Sequence, residues 1–323
     1  MTTVQPAPIG AVGPGSGPPD REPGTRRWSN RHRGSLSRVP LPVWLFLLIP
    51  LAIELFWVFW PALNSFQLSF TRWHGVGPAQ PVGLDNYRRL VHDPIFHTAL
   101  RNNVIWVIGF GGLSVAGGLA LAVALNKPGR GVGFYRSAIY LPMVISLVVS
   151  GLFWRVLYQP GGPVNSVLGD LHVPGAGHQW LADPHTALYA VLVAAVWRQV
   201  GYIMVLYLAG LKGTDTTLEE AAAVDGANAW QRFWRVVMPQ LKGVNTVVFA
   251  VTVIDSLRTF DIVWAMTRGG PYNTTQLLST YMFQQGFTLV DLGYGSTLAV
   301  VIFLLAIAFI ITYLVRQARA EED

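Results

Sequence analysis

Six blocks of about 20 apolar residues punctuate the chain, and a helix is almost the only structure such blocks can adopt. A helix rising about 1.5 Å per residue needs about 20 residues to cross a hydrocarbon core about 30 Å thick. In lipid, every backbone N–H and C=O must find its partner within the protein, which leaves helices and closed barrels as the spanning structures. The blocks run approximately Val43–Leu63, Asn103–Leu125, Ser137–Leu157, Ala187–Leu211, Val244–Met266 and Thr297–Val315. Apolar residues fill each block rather than forming a stripe along one face. Only 12% of all residues are charged, against roughly 25% in a soluble domain. The fold expected is all-α and integral to the membrane, with six transmembrane helices in a domain covering residues 39–323.

Residues 1–38 are rich in Pro, Gly and Ser and lack apolar periodicity, the composition of a disordered tail. No small-residue cleavage site follows the first block, so that block is expected to stay as an uncleaved anchor. Six arginines (Arg21, Arg26, Arg27, Arg31, Arg33 and Arg38) precede it. If the N-terminus is cytoplasmic, the cytoplasmic segments carry 15 Lys and Arg and the external loops carry 5. Basic residues are retained on the cytoplasmic side, so both termini are expected there, in a bacterial cytoplasmic (inner) membrane. The same distribution makes the net charge of +6 a feature of topology and lipid contact, not of nucleic-acid binding.

Several chemistries lack their residues. There are no cysteines, hence no disulfide, thiolate metal site or cysteine nucleophile. The seven histidines show no metal-ligand spacing, so no metal site is expected. The three lysines, Lys127, Lys212 and Lys242, follow Asn126, Leu211 and Leu241, so none completes the Gly-Lys-Ser/Thr ending of a phosphate-binding loop. The chain is expected to be no enzyme and to carry no ATPase site of its own.

The loop between the fourth and fifth blocks, residues 212–243, is too long for a turn and too polar to span. Thr216 or Thr217 can cap a first short helix, with Glu219 and Glu220 in its first turn near the positive end of the helix dipole. Gly226 allows a bend. A second helix then runs to Pro239, with Trp230, Phe233, Trp234, Val237 and Met238 on one face. Periodicity alone fits equally an interfacial helix lying on lipid headgroups.

The residue pattern of this loop resembles the coupling (EAA) loop of bacterial ABC-importer permeases. Glu220-Ala221-Ala222 is followed by Gly226 and then by Val236-Val237-Met238-Pro239, where the family pattern ends in Ile-x-Leu-Pro. Asp225, Ala227 and Phe233 are similar to the carbohydrate branch that the maltose permeases typify. The first external loop (SFTRW, then VGLDNYRRLVHDPIFHTALRNN) and the last (TRGGPYNTTQLLSTYMFQQGF) resemble the same branch, so the likeness covers most of residues 43–315. The resemblance implies a permease subunit of an ATP-driven importer for a sugar or oligosaccharide. It implies as partners a second permease subunit, two ATPase subunits that bind ATP and Mg, and an external solute-binding protein. Glu220, Ala221, Ala222, Asp225, Gly226 and Pro239 would then couple the ATPase to the membrane domain.

Glu54, Arg155, Arg198, Asp255, Arg258 and Asp261 fall in or near the apolar blocks. Ionisable groups there are costly and face a partner or a water-filled cavity. Asp255, Arg258 and Asp261 are spaced to meet on one helix face as a self-neutralising network. The other reading is a polar path for a hydroxyl-rich solute. In the maltose-type permeases that path uses the spans flanking the coupling loop; here the pathway candidates are Arg198, Gln199, Tyr202, Thr252, Ser256 and Thr259. Twelve tryptophans suggest sugar platforms, but Trp44, Trp57, Trp60 and Trp73 lie where interfacial belts form. Two other functions remain open to the residues alone. A proton-coupled transporter would use Glu54, Asp255 or Asp261 as carrier and leaves the long loop without a role. A membrane glycosyltransferase would need clustered external carboxylates, and Asp85, Asp93, Asp170, Asp183 and Asp291 are scattered.

Overall fold

The computed structural model describes residues 41–172 and 177–322; the expected tail at 1–38 lies outside them. Residues up to Glu54 form a unit of their own, of which α1 (Leu41–Glu54) is a helix with Pro50 inside it and exposed Trp44, Phe46 and Leu47. The second unit begins with a π-helical turn, Leu55–Phe59, and α2 (Trp60–Leu68). A two-residue antiparallel ribbon follows, Thr71–Arg72 against Gln80–Pro81, then α3 (Asp85–Val91) and α4 (Pro94–Leu125). Next come α5 (Val132–Val144), α6 (Leu147–Leu157), α7 (Pro163–Asp170) and α8 (Ala187–Leu211). The loop helices are α9 (Thr216–Val224), α10 (Ala229–Arg232) and α11 (Met238–Gln240), with a π-helical turn at Phe233–Val237. The chain closes with α12 (Lys242–Arg258), α13 (Asp261–Met266), α14 (Leu278–Phe283) and α15 (Leu292–Glu322).

Four helical stretches are long and apolar enough to cross a membrane: Phe46–Leu68, Pro94–Leu125, Ala187–Leu211 and Leu292–Tyr313. Two bent pairs bring the number to six where each makes one crossing: Val132–Val144 with Leu147–Leu157, bent by 103°, and Ala229–Gln240 with Lys242–Arg258, bent by 75°. The fourth block has the bounds expected; the first and last shift to Phe46–Leu68 and Leu292–Tyr313, and the other three differ for local reasons. The second span starts at Pro94 rather than Asn103, because Asp93 caps it: its Oδ1 accepts from the N–H of Ile95 at 2.8 Å and of Phe96 at 3.3 Å. Proline suits the first helical position because the N–H it lacks is unpaired there anyway.

The third block is not one straight helix. Ile145 is extended, and the Ser146 hydroxyl accepts from Val149 N–H at 3.3 Å, starting a new helix. The fifth block also breaks, at Thr259 and Phe260, so Asp261 opens a separate helix and does not share a straight face with Asp255 and Arg258.

Three apolar cores hold these elements, and α4 threads all of them. Phe96 and Ala99 join Leu298 and Tyr294; Trp106 and Phe110 join Val191, Ala194 and Val263; Ala122 joins Ile203, Tyr207 and Leu241. The central helix is α8, buried along more than half of its apolar length. Its approach to α5 is set by Gly201, where a Cβ would stand 2.2 Å from the Ile139 carbonyl oxygen. No real side chain tolerates that distance, so Gly201→Ala must push the two helices apart. The expected loss is about 1–3 kcal/mol of stability, the usual cost of overpacking. Thermal unfolding of the detergent-purified complex reads it, with Gly133→Ala, whose Cβ meets nothing within 4 Å, as an unchanged control.

Segments far apart in sequence close one end of the bundle. Arg89 pairs with Asp291 at 2.7 Å and lies 3.8 Å over the Tyr294 ring. The hydroxyls of Tyr281 and Tyr294 both donate to Asp93, the latter at 2.6 Å. Burial pushes the Asp93 carboxyl up, but these hydrogen bonds and those from the backbone of Ile95 and Phe96 outweigh it and hold it below the usual carboxylate range. The two loops read separately in the sequence thus form one structure.

Candidate functional site

The loop joining α8 to α12 builds a helical hairpin from local rules. Asp215, not Thr216 or Thr217, caps α9: its Oδ1 accepts from Thr217 N–H at 2.9 Å and from Thr217 Oγ1 at 2.7 Å. These two bonds hold the Asp215 carboxyl below its ordinary range. A carboxylate is the stronger acceptor, and both threonines fall inside the helix. Glu219 lies in the first turn as expected, while Glu220 comes one residue later.

The far end of α9 closes in a Schellman turn. Ala227 N–H donates to Ala222 O at 3.0 Å, and Gly226 N–H donates to Ala223 O at 3.1 Å. The residue between cap and tail must then be left-handed, and Gly226 has φ +86°. The motif glycine is therefore the hinge that turns the chain from α9 into α10. There Asn228 and Gln231 form a reciprocal capping box, with both bonds at 2.9 Å. Pro239 has no N–H to give to Arg235, and the widened π-helical turn precedes it.

The hairpin faces two ways. On the α10–α11 arm, Val237 is buried and Phe233 and Met238 are partly buried against the core of Tyr207 and Leu241. Trp230 and Trp234 are exposed to a groove of about 1220 Å3 between this arm, α4 and α12, which Lys127 and Thr252 also line. On α9, Leu218 and Val224 stand in the open, Val224 at 89% exposure, with Ala221 between them. Glu220, Asp225, Gly226 and Pro239 are exposed as well, and Ala222 is half-buried. Among the described residues, none covers that apolar edge of α9.

A second feature lies where α5 breaks from α6. The Arg198 guanidinium donates to Ile145 O at 3.3 Å and Met143 O at 3.2 Å, satisfying carbonyls that the break leaves without helical partners. Across a cavity of about 300 Å3, Arg198 and Gln199 face Asp255, Arg258, Thr259 and Asp261, with Phe110 and Phe260 in the wall. Gln199 Nε2 donates to Asp255 Oδ2 at 3.1 Å. Among the described residues no ion pair within 4.0 Å joins Asp255, Arg258 and Asp261. Asp255 and Arg258 share α12, Asp261 stands beyond the break, and all three line the cavity.

Of the six pathway candidates, the structure brings Arg198, Gln199 and Thr259 together at this cavity. The Thr259 hydroxyl accepts from Trp106 Nε1 at 3.1 Å and donates to Asp255 O at 2.8 Å. Thr252 and Ser256 are buried, and each hydroxyl donates to its own helix, to Val248 O at 2.6 Å and Thr252 O at 2.7 Å. Thr252 lines the large groove, and Tyr202 packs with the apolar core near Ile203. Phe110, Met143, Leu147 and Phe260 line the small cavity without any sequence signal that separates them from ordinary core residues.

Known proteins share this architecture. Residues 114–319, well over half of the chain, match the family model described as binding-protein-dependent transport system inner membrane component. A probable ABC transporter permease protein of Pyrococcus horikoshii is 35% identical over 285 residues, covering 87% of this chain and 98% of that protein. The lactose transport system permease protein LacF of Rhizobium radiobacter is 33% identical, covering 85% of this chain and 94% of its own. A crystal structure of a bacterial ABC transporter that imports the acidic polysaccharide alginate contains a chain with the same fold. It matches at TM-score 0.74 and 20% identity, covering 86% of this chain and 96% of the other.

Proposed function

The chain belongs to the family of binding-protein-dependent transport system inner membrane components, and on that premise we propose that it passes a sugar or oligosaccharide through the membrane. The observation that carries this reading is the hairpin after α8. Its α9 edge, with Leu218, Ala221 and Val224 uncovered beside Glu220, suits the cleft of an ATPase subunit. Glu220 offers a carboxylate to a basic or amide partner, and small Ala221 and Ala222 let the partner's backbone come close. Gly226 sets the angle between α9 and the arm anchored on Val237, so motion at α9 reaches α12 and the cavity above it. ATP and Mg belong to the ATPase subunits.

In this reading the hairpin and both termini are cytoplasmic, and the Arg89–Asp291 end faces the external solute-binding protein. A second permease subunit completes the pathway. The basic residues of the tail and the loops support this orientation. The lactose permease relative supports a neutral sugar. The small cavity fits that chemistry, because a hydroxyl-rich solute needs paired donors and acceptors to replace water, and aromatic walls to lie against. Arg198, Gln199 and Thr259 supply the former, Phe110 and Phe260 the latter.

Uptake by vesicles holding the complete transporter tests the assignment. Gln199→Ala leaves Asp255 without its amide donor and is expected to lower uptake about tenfold. Ser256→Ala, whose hydroxyl is already bonded within its helix, is expected to change uptake less than about threefold. Equal effects at the two positions remove the cavity from the pathway. Uptake that a protonophore abolishes and ATP depletion spares overturns the ATP-driven reading itself.

A further inference from the structure

The hairpin is closed at its base by one side chain outside the motif. Gln240, the last residue of α11, accepts the Asp215 backbone N–H through Oε1 at 2.7 Å, and its Nε2 donates to Val236 O at 3.1 Å. The two residues are 25 positions apart and stand at the two ends of the loop. Asp215 is the residue that caps α9, so Gln240 grips the start of the first arm from the end of the second.

The alternative attachments are weaker. Between α8 and α9, Gly213 N–H donates to Gly210 O and Thr214 Oγ1 to Leu211 O, both at 2.9 Å, but these bonds reach back only into α8, and Gly213 permits rotation there. Arg232 approaches Glu219 at 3.9 Å, a long and partly exposed pair of the kind that holds position poorly. The base below is firm, because Leu211 and Leu241 are buried in one core with Val237. A lever transmits a push only as far as its joint resists rotation. The Gln240 bond ties the start of α9 to the end of α11, beside the foot of α12.

We propose that Gln240 is a positioning residue for energy coupling: it fixes α9 against the base of α12, so that ATPase motion drives the membrane helices instead of swinging α9 about Gly213. This rests on the reading of α9 as the ATPase-facing element.

The test compares Gln240→Leu, which keeps the bulk and removes both bonds, with Gln240→Glu, which keeps the acceptor for Asp215 N–H. Both residues are solvent-exposed, so water weakens the repulsion between the added charge and the Asp215 carboxylate. Each variant is reconstituted in vesicles with the second permease, the ATPase and the binding protein, and solute uptake is measured per ATP hydrolysed. Gln240→Leu is expected to lower that ratio about fivefold or more, the scale of a typical coupling between sites, while hydrolysing ATP at the parent rate. Gln240→Glu keeps the parent ratio. A ratio unchanged in Gln240→Leu, equal losses in both variants, or dissociation of the ATPase from Gln240→Leu each overturns the proposal. Labelling of an Ala221→Cys chain separates this from the reading beneath it. A thiol shielded by the ATPase with no change in the Gln240→Leu ratio sinks the lock alone; an unshielded thiol sinks the docking site.

Discussion

Gly226→Pro is expected to lower solute uptake about 100-fold while the permease still inserts and assembles. Proline is confined to φ near −65°, and residue 226 sits at φ +86°. The substitution also deletes the N–H that donates to Ala223 O. The Schellman turn cannot form, at a cost of about 3 kcal/mol or more, and each 1.4 kcal/mol is a factor of ten in the population holding the native hairpin. Gly226→Ala separates backbone strain from crowding, because a Cβ there meets nothing within 4 Å. It bears only the left-handed penalty of about 1–2 kcal/mol, so uptake should fall about tenfold. Membrane insertion should be unaffected in both, since Gly226 lies outside the apolar spans. Uptake and ATP hydrolysis measured together check this: the graded order glycine, alanine, proline is required, and equal activities contradict it.

Arg198→Leu should be nearly as damaging, for a different reason. Leucine leaves Ile145 O and Met143 O without their donor at the break between α5 and α6. An unpaired carbonyl costs about 1–3 kcal/mol when buried, and these two are partly buried. It also strips the cavity of a cation facing Asp255 and Asp261, leaving one arginine against two carboxylates. We expect uptake to fall at least about 30-fold and the thermal midpoint of the purified complex to drop by several degrees. Arg198→Lys should recover part of both, because an ammonium keeps the charge but cannot reach both carbonyls with a planar fork. Recovery of the thermal midpoint without uptake by Arg198→Lys marks fork geometry as the requirement for transport. A fully active Arg198→Leu contradicts the assignment.

What could be read from the residues alone follows the range of the forces involved. The Ala187–Leu211 helix has the bounds its apolar run suggests, because lipid imposes a length on any such run. The hairpin was equally legible: Gly226 turns the chain because left-handed backbone selects glycine wherever it occurs. The cap was misplaced by one or two residues, since Asp215 and both threonines are competent and only geometry chooses among them. The break at Ser146 is marked in the run Ser137–Leu157 only by Pro142 and the capping hydroxyl of Ser146. It persists because Arg198, 53 and 55 residues away, takes up the freed carbonyls. On the fifth block Asp255 and Arg258 share α12 as their spacing suggests, but Asp261 lies beyond the turn at Thr259, which depends on tertiary packing, with Trp106 on its hydroxyl. The grip of Gln240 on Asp215 was invisible for the same reason.

The account stands on α9 being held by an ATPase, and the chain's lack of cysteine makes that directly measurable. Ala221→Cys places a single thiol on the uncovered edge, and Gly129→Cys places one on the exposed loop before α5 as a control. Maleimide labelling rates are compared in inside-out vesicles with and without the ATPase subunits. At saturating ATPase, labelling at position 221 should slow by at least about tenfold, the free fraction being small, while position 129 is unchanged. Equal labelling at position 221 in both preparations contradicts the account.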